Sequence, residues 1–326
     1  MEPQKIWQTK IGKPLPQKGR GNPNSGGEEM RKLALCMAIL LCFSQTIFAT
    51  NPATKSSIKI AIIDSGISTK ALDKANVSSG KNYILPEDST EDRLNHGTAI
   101  ASLILGKPTR GLLGAYPQAS LVPLVYCSVM DKKIVKGDAV MLAKCIRDAV
   151  DIFSCRVINL SAGILINSQE LKAACDYAEQ KGAVIVAAVG NDNVDAPEHY
   201  YYPAAYDTVM GVGALDDGGR VAGFSQRNKS VSLVAKGDNL WVARASGKMS
   251  YVSGTSYACA FVAAAAAQIL EENATLSPSD VRKLLCESAT DLGAAGYDME
   301  SGYGALNAKK ALELAKSYEA VAGHQD

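Results

Sequence analysis

From Ser57 onward, apolar residues fall into two alternating patterns. Ile58–Ile63, Leu121–Tyr126, Val157–Leu160 and Ala183–Val189 are short runs with almost no position polar enough to face water. Between them, Gly97–Leu105, Ala139–Ile152 and Ser168–Gln180 have helical character, the last stopping at Gly182. Strands apolar on both faces, alternating with helices, predict a mostly parallel sheet with helices on both sides. Val209–Ala214 and Val231–Ala235 supply later strands. Tyr257–Glu271 is Ala-rich and apolar all round, which predicts a buried helix. Ser277-Pro278 opens a last pair of helices ending near Tyr318. The expected fold class is α/β, with a single domain over residues 57–318 and no internal repeat or linker dividing it.

The first fifty residues read differently. Residues 1–29 carry Lys5, Lys10, Lys13, Lys18 and Arg20 among Pro and Gly, too little apolar material to offset ordering entropy, and are expected to be disordered. Met30, Arg31 and Lys32 precede an apolar run from Leu33 to Leu41 that continues, less purely, to Ala49. This is the pattern of a signal peptide over residues 30–49, cleaved after Ala49. Translation from either Met1 or Met30 fits it. An uncleaved anchor is the competing reading, but Ser44, Gln45 and Thr46 leave the run short for a bilayer span. Residues 50–56 then form a short linker and 319–326 a tail. The expectation is an exported protein, secreted or periplasmic, anchored only if the segment is retained and otherwise without stable membrane association.

Formal net charge is +1, which gives no electrostatic reason to expect a nucleic-acid partner. Cys36 and Cys42 would leave with the signal. The other six cysteines sit in apolar or helical contexts that favour buried thiols, although an even number in an exported protein also permits disulfides. No CxxC pair is present and there are three histidines in all, so no metal cluster is expected. No oxygen-rich acidic loop identifies a structural calcium site, which leaves calcium possible but unlocated, and no cofactor is required.

Three short segments carry candidate chemistry: Ile62-Ile63-Asp64-Ser65-Gly66 at the end of the first strand, Asn95-His96-Gly97-Thr98 entering a helix, and Ser253-Gly254-Thr255-Ser256 entering the buried helix. A serine hydroxyl needs an adjacent base to act as a nucleophile, and an imidazole needs a partner that fixes its tautomer. Singly, each residue has an ordinary explanation as a turn, a structural histidine or a helix cap. Together, in the order Asp, His, Ser, they resemble the subtilisin family of serine peptidases over roughly residues 57–310. The resemblance implies a subtilisin-like fold, a catalytic triad of Asp64, His96 and Ser256, and an acyl-enzyme mechanism. It also implies that Asn191, which ends Ala187-Ala188-Val189-Gly190-Asn191, donates to the oxyanion. Ser161, Ala162 and Gly163 would form one wall of the substrate cleft, and Ala188, Val189 and Gly190 the other.

There are departures from the family. Tyr257, Ala260 and Phe261 stand where it usually has methionine, proline and histidine, and Lys236 replaces the usual end of a late strand. No propeptide of several tens of residues fits between Ala49 and the first strand. Tyr201, two residues before Pro203, occupies a position often held by glycine at the floor of the primary specificity pocket. A ring pointing inward there would favour small side chains at the cleaved residue, with Asp192 a weaker pull toward basic ones. The expected function is a monomeric serine endopeptidase acting on peptides or proteins. A maturation protease dedicated to one partner and a non-catalytic peptide-binding relative are the alternatives.

Overall fold

The computed structural model describes residues 56–318. The expected disordered extension 1–29, signal peptide 30–49, nearly all of the linker 50–56 and the tail 319–326 lie outside the described residues.

In chain order the strands are β1 Lys59–Asp64, β2 Lys81–Asn82, β3 Gly106–Lys107, β4 Leu112–Leu113, β5 Ser120–Val125, β6 Cys127–Met130, β7 Lys133–Lys136, β8 Val157–Leu160, β9 Val184–Ala188, β10 Val209–Leu215, β11 Leu233–Lys236, β12 Leu240–Ala243 and β13 Met249–Val252. The helices are α1 His96–Leu105, α2 Ala139–Asp151, α3 Gln169–Gln180, α4 Thr255–Glu272, α5 Pro278–Ser288 and α6 Ala308–Ser317. Seven strands form one sheet in the order β11-β10-β9-β8-β1-β5-β2, and every pairing in it is parallel. The expected α/β class holds. β1, β5, β8, β9 and β10 are buried along nearly their whole length, as strands covered on both faces must be.

α4 is the helix the sequence marked for burial. Its run of alanines from Ala263 to Ala267 is inaccessible to solvent, and small side chains let its axis lie close against the sheet. α5 starts with a capping box: Ser277 accepts from Asp280 N while the Asp280 carboxylate accepts from Ser277 N.

Three antiparallel hairpins were not expected, and β3 with β4 is the shortest of them. β6 and β7 pair antiparallel around Asp131 and Lys132, whose φ angles are 50° and 62°. A two-residue turn with both central residues left-handed suits strand twist, but it normally announces itself with Asn-Gly or Asp-Gly, and Asp-Lys hides it. β12 and β13 form another hairpin, which leads directly into α4. The strand expected at Val231–Ala235 begins instead at Leu233, because Val231 N–H turns back to Asn228 O at 3.1 Å.

All six cysteines among the described residues are free thiols; Cys286 is half-buried and the others buried. Burial pushes their acidities up, to about 12 for Cys155 and Cys175 and about 11 for Cys286, with Cys127, Cys145 and Cys259 raised further. Among the described residues no helix is long and apolar enough to cross a membrane.

Candidate active site

From β1 the chain runs outward to β5 and β2 on one side of the sheet, and later through β8 to β11 on the other. The carboxyl ends of β1 and β8 therefore border a topological switch point, where open parallel sheets characteristically carry their sites. Asp64 is the last residue of β1 and is wholly buried. His96 opens α1, and its Nδ1 lies 2.9 Å from Asp64 Oδ1 and 2.8 Å from Oδ2. An ionised carboxylate only accepts, so this contact requires a proton on Nδ1 and turns Nε2 into the basic nitrogen. The Tyr257 ring packs beside His96, with centroids 5.4 Å apart.

What aims His96 is a pair of side chains that the sequence did not single out. Asn95, with φ 67°, does not cap α1; its Oδ1 accepts from Ala245 N at 3.1 Å instead. Asp92 takes over: Oδ2 accepts from Thr98 N at 2.9 Å, and Oδ1 accepts from Leu94 N and Asn95 N, both at 2.8 Å. Ser65 Oγ accepts from Gly97 N at 2.9 Å and donates to Asp92 Oδ1 at 2.8 Å. Gly97 is needed because a Cβ there would stand 2.2 Å from Gly66 O. Burial raises the Asp92 carboxyl above its ordinary value, against the opposing pull of bonds from Thr98, Ser65 and Leu94. A carboxylate just ahead of an uncapped helix start was the signal available.

Asp92→Asn is expected to set an amide N–H against the Thr98 N–H and loosen the turn that carries His96. Small misplacements of a reacting group cost up to about 100-fold. The variant should lose roughly 10- to 100-fold in kcat with little change in KM. Steady-state kinetics beside a thermal melt check this: equal losses in kcat and Tm-dependent activity, or a change confined to KM, would show that Asp92 only supports the fold.

Ser256 is the second residue of α4, a place where helix N–H groups lack intrahelical partners and the dipole favours negative charge. Its Oγ donates to Ser161 O at 3.0 Å, and Ser161 Oγ donates to Ser256 O at 2.9 Å. Asn159 Nδ2 in turn reaches Ser161 Oγ at 2.9 Å. Asn191, exposed beyond the end of β9, accepts through Oδ1 from Thr255 N at 2.8 Å and Thr255 Oγ1 at 2.9 Å. A backbone N–H can only donate, so the oxygen must face Thr255 and Nδ2 is left as the outward donor.

The structure thus brings Asp64 to His96, Ser256 to Ser161, and Asn191 to the residue preceding Ser256. Of the expected cleft walls, Ser161, Ala162 and Ala188 are buried and Gly163 and Gly190 half-buried. Val189 has no accessible surface, and its N–H donates to Val212 O at 3.2 Å. Tyr201 is 5% exposed and lies against Gly190. Among the described residues, no group of three or more His, Cys, Asp or Glu side chains could hold a metal ion.

The chain belongs to the subtilase family, whose pattern matches residues 55–304, and its class is that of a serine-type endopeptidase. It is 32% identical over 260 residues to subtilisin DY of Bacillus licheniformis, covering 79% of this chain and 92% of that one. Among solved structures it is similar to the S41 psychrophilic protease, at 29% identity and TM-score 0.69 over 79% of this chain and 94% of that one. It is also similar to the prenylagaramide maturation protease PagA, at 26% identity and TM-score 0.66 over 78% and 93%.

Proposed function

We propose that this serine endopeptidase cleaves peptide bonds through an acyl-enzyme on Ser256, with His96 as general base and acid, Asp64 orienting His96, and Asn191 in the oxyanion hole. The observation that carries the reading is the double contact of His96 Nδ1 with Asp64, which supplies the tautomer the reaction needs. Ser256 Oγ attacks the scissile carbonyl carbon while its proton passes to His96 Nε2. The carbonyl electrons move onto oxygen, where Asn191 Nδ2 and the N–H groups at the start of α4 stabilise the developing charge. Collapse breaks the C–N bond, and the imidazolium protonates the leaving amine. Water, deprotonated by the same nitrogen, then releases the acid and regenerates Ser256. An extended substrate would lie between the chain leaving β8 and the chain leaving β9, read mainly through its main chain. The deciding experiment is labelling with a fluorophosphonate probe and mapping of the adduct. Attachment at Ser256 is the expected result; a folded protein that takes up no label would support a non-catalytic peptide-binding role.

A narrower reading is favoured by one observation. The similar structure PagA is named a maturation protease, and a protease dedicated to one partner polypeptide is the narrower form of this reading.

We also propose export, on the strength of the basic-then-apolar pattern over residues 30–49. N-terminal sequencing of the mature protein should begin at Thr50, and a start at Met1 or Met30 would rule cleavage out.

A further inference from the structure

In the substrate pose proposed above, with the scissile carbon at Ser256 Oγ and its oxygen at Asn191 Nδ2, the side chain of that residue (P1) enters the gap between the two segments that the resemblance makes its walls, the chain leaving β8 at Ser161–Gly163 and the chain leaving β9 at Ala188–Gly190. β8 and β9 are hydrogen-bonded neighbours, so the two segments diverge from a separation of only about 4.8 Å. Whatever lies in that gap sets the depth of the pocket.

Tyr201 lies in it. A Cβ built on Gly190 would stand 2.3 Å and 2.4 Å from the ring carbons Cδ2 and Cε2, and one on Gly163 would stand 3.1 Å from Tyr201 Cβ and 3.2 Å from Cδ1. The side chain therefore spans from one wall to the other: glycine at 190 is what makes room for the ring, and at 163 any Cβ would be a tight fit. Its position is fixed from three directions. Next to it, Ile164 N–H donates to Tyr202 O at 3.0 Å and Tyr202 N–H to Ile164 O at 2.8 Å, tying its backbone to the β8 side. At its far end the phenol donates to Asp192 Oδ2 at 2.7 Å, and the same oxygen faces His199 Nδ1 at 2.9 Å. Behind Gly190, the fully buried Gln226 brings its Cγ to 3.0 Å from that same Cβ point and holds Ala196 O and His199 O through Nε2. Burial, reinforced by the bond to Asp192, keeps the phenol protonated and able to donate.

We infer that Tyr201, latched by Asp192, closes the primary specificity pocket, so that the enzyme cleaves after small residues (Gly, Ala, Ser) and rejects aromatic and long aliphatic ones. The inference rests on the peptidase reading above. It also revises the expectation that Asp192 attracts a basic P1 side chain, since Asp192 Oδ2 is already engaged by Tyr201 and His199. For a large P1 group to enter, the ring must swing out, losing its bond to Asp192 and its packing on Gly190. Overpacking of this order corresponds to about a 5- to 150-fold loss in rate.

The test is a set of fluorogenic peptides identical except at P1, assayed as kcat/KM on the wild type, Tyr201→Gly and Tyr201→Phe. The wild type should prefer Ala over Phe by roughly 5- to 150-fold. Tyr201→Gly should bring the Phe-to-Ala ratio near or above one. Tyr201→Phe, which keeps the ring and removes the latch, should give an intermediate ratio. A wild type that cleaves after Phe or Leu as well as after Ala overturns the inference without recourse to any variant, as does an unchanged ratio in a folded Tyr201→Gly. Fluorophosphonate labelling on the same samples separates the two readings. Labelled enzyme with a large-residue preference sinks this inference alone, whereas no label and no hydrolysis of any peptide overturns the peptidase reading and this inference with it.

Discussion

Ser256→Ala is expected to reduce peptide hydrolysis by about a million-fold while the fold stays intact. That magnitude is known from a subtilisin, where loss of the nucleophile costs about as much as loss of the whole triad; it is carried here by the resemblance, not obtained from this structure. Physically, the other hydroxyl at the start of α4, Thr255 Oγ1, is committed to Asn191 Oδ1 at 2.9 Å, so the remaining rate is that of water attack assisted by the oxyanion donors. Structurally the change is small. Ser256 Oγ donates one hydrogen bond, to Ser161 O at 3.0 Å, and the return bond from Ser161 Oγ to Ser256 O uses the backbone and survives. Losing one such bond costs about 0.5–1.5 kcal/mol, too little to unfold a domain of this size. Hydrolysis assays on purified protein, beside a circular dichroism melt, decide the matter. Retention of more than a few per cent of activity in a clean sample would falsify the assignment of the nucleophile.

Asn191→Ala should lower kcat by about 100- to 1000-fold with a much smaller change in KM, again a scale taken from a subtilisin. The complication is that Asn191 does two things at once. Its Nδ2 is the outward donor, while its Oδ1 accepts two bonds from Thr255. Alanine removes both. Thr255→Val separates them, because it deletes the Oγ1 donor and leaves the Asn191 amide and the Thr255 N–H in place. One neutral hydrogen bond corresponds to about 2- to 10-fold, so Thr255→Val should fall far short of Asn191→Ala. Equal losses in the two variants would mean that anchoring the start of α4, not donation to the oxyanion, is the main contribution.

The sheet and its helices were legible because their signals are strong and local. Apolar runs such as Ala183–Val189 have no polar face, and α4 is apolar on every side from Tyr257 to Ala267. The three segments holding Asp64, His96 and Ser256 were legible because each sits at the end of a strong element. What escaped depended on contacts distant in sequence. Asp92 became visible only when α1 was seen to start at an asparagine whose side chain is committed to Ala245. The β6–β7 turn uses Lys132 in a conformation that lysine seldom adopts, so no residue pattern advertised it. Tyr201 lay between these cases: its position suggested a filled pocket, and only the packing against Gly190 and Gly163 gave that suggestion a geometry.

The six unpaired thiols have a consequence for how this molecule keeps time. A thiolate, not a thiol, reacts with alkylating agents and oxidants. With their acidities raised by burial, the cysteines hold almost no thiolate at neutral pH while the fold is closed. Chemistry at each sulfur must therefore wait for the surrounding element to open. Cys286, half-buried on α5, would be modified first, and Cys259, enclosed within α4, last. Each thiol is a clock set to the breathing of its own segment of the fold, and mass spectrometry of a timed alkylation would read six such clocks from one sample. While those clocks are stopped, the six cysteines of the described residues offer an oxidant almost no thiolate with which to form a crosslink.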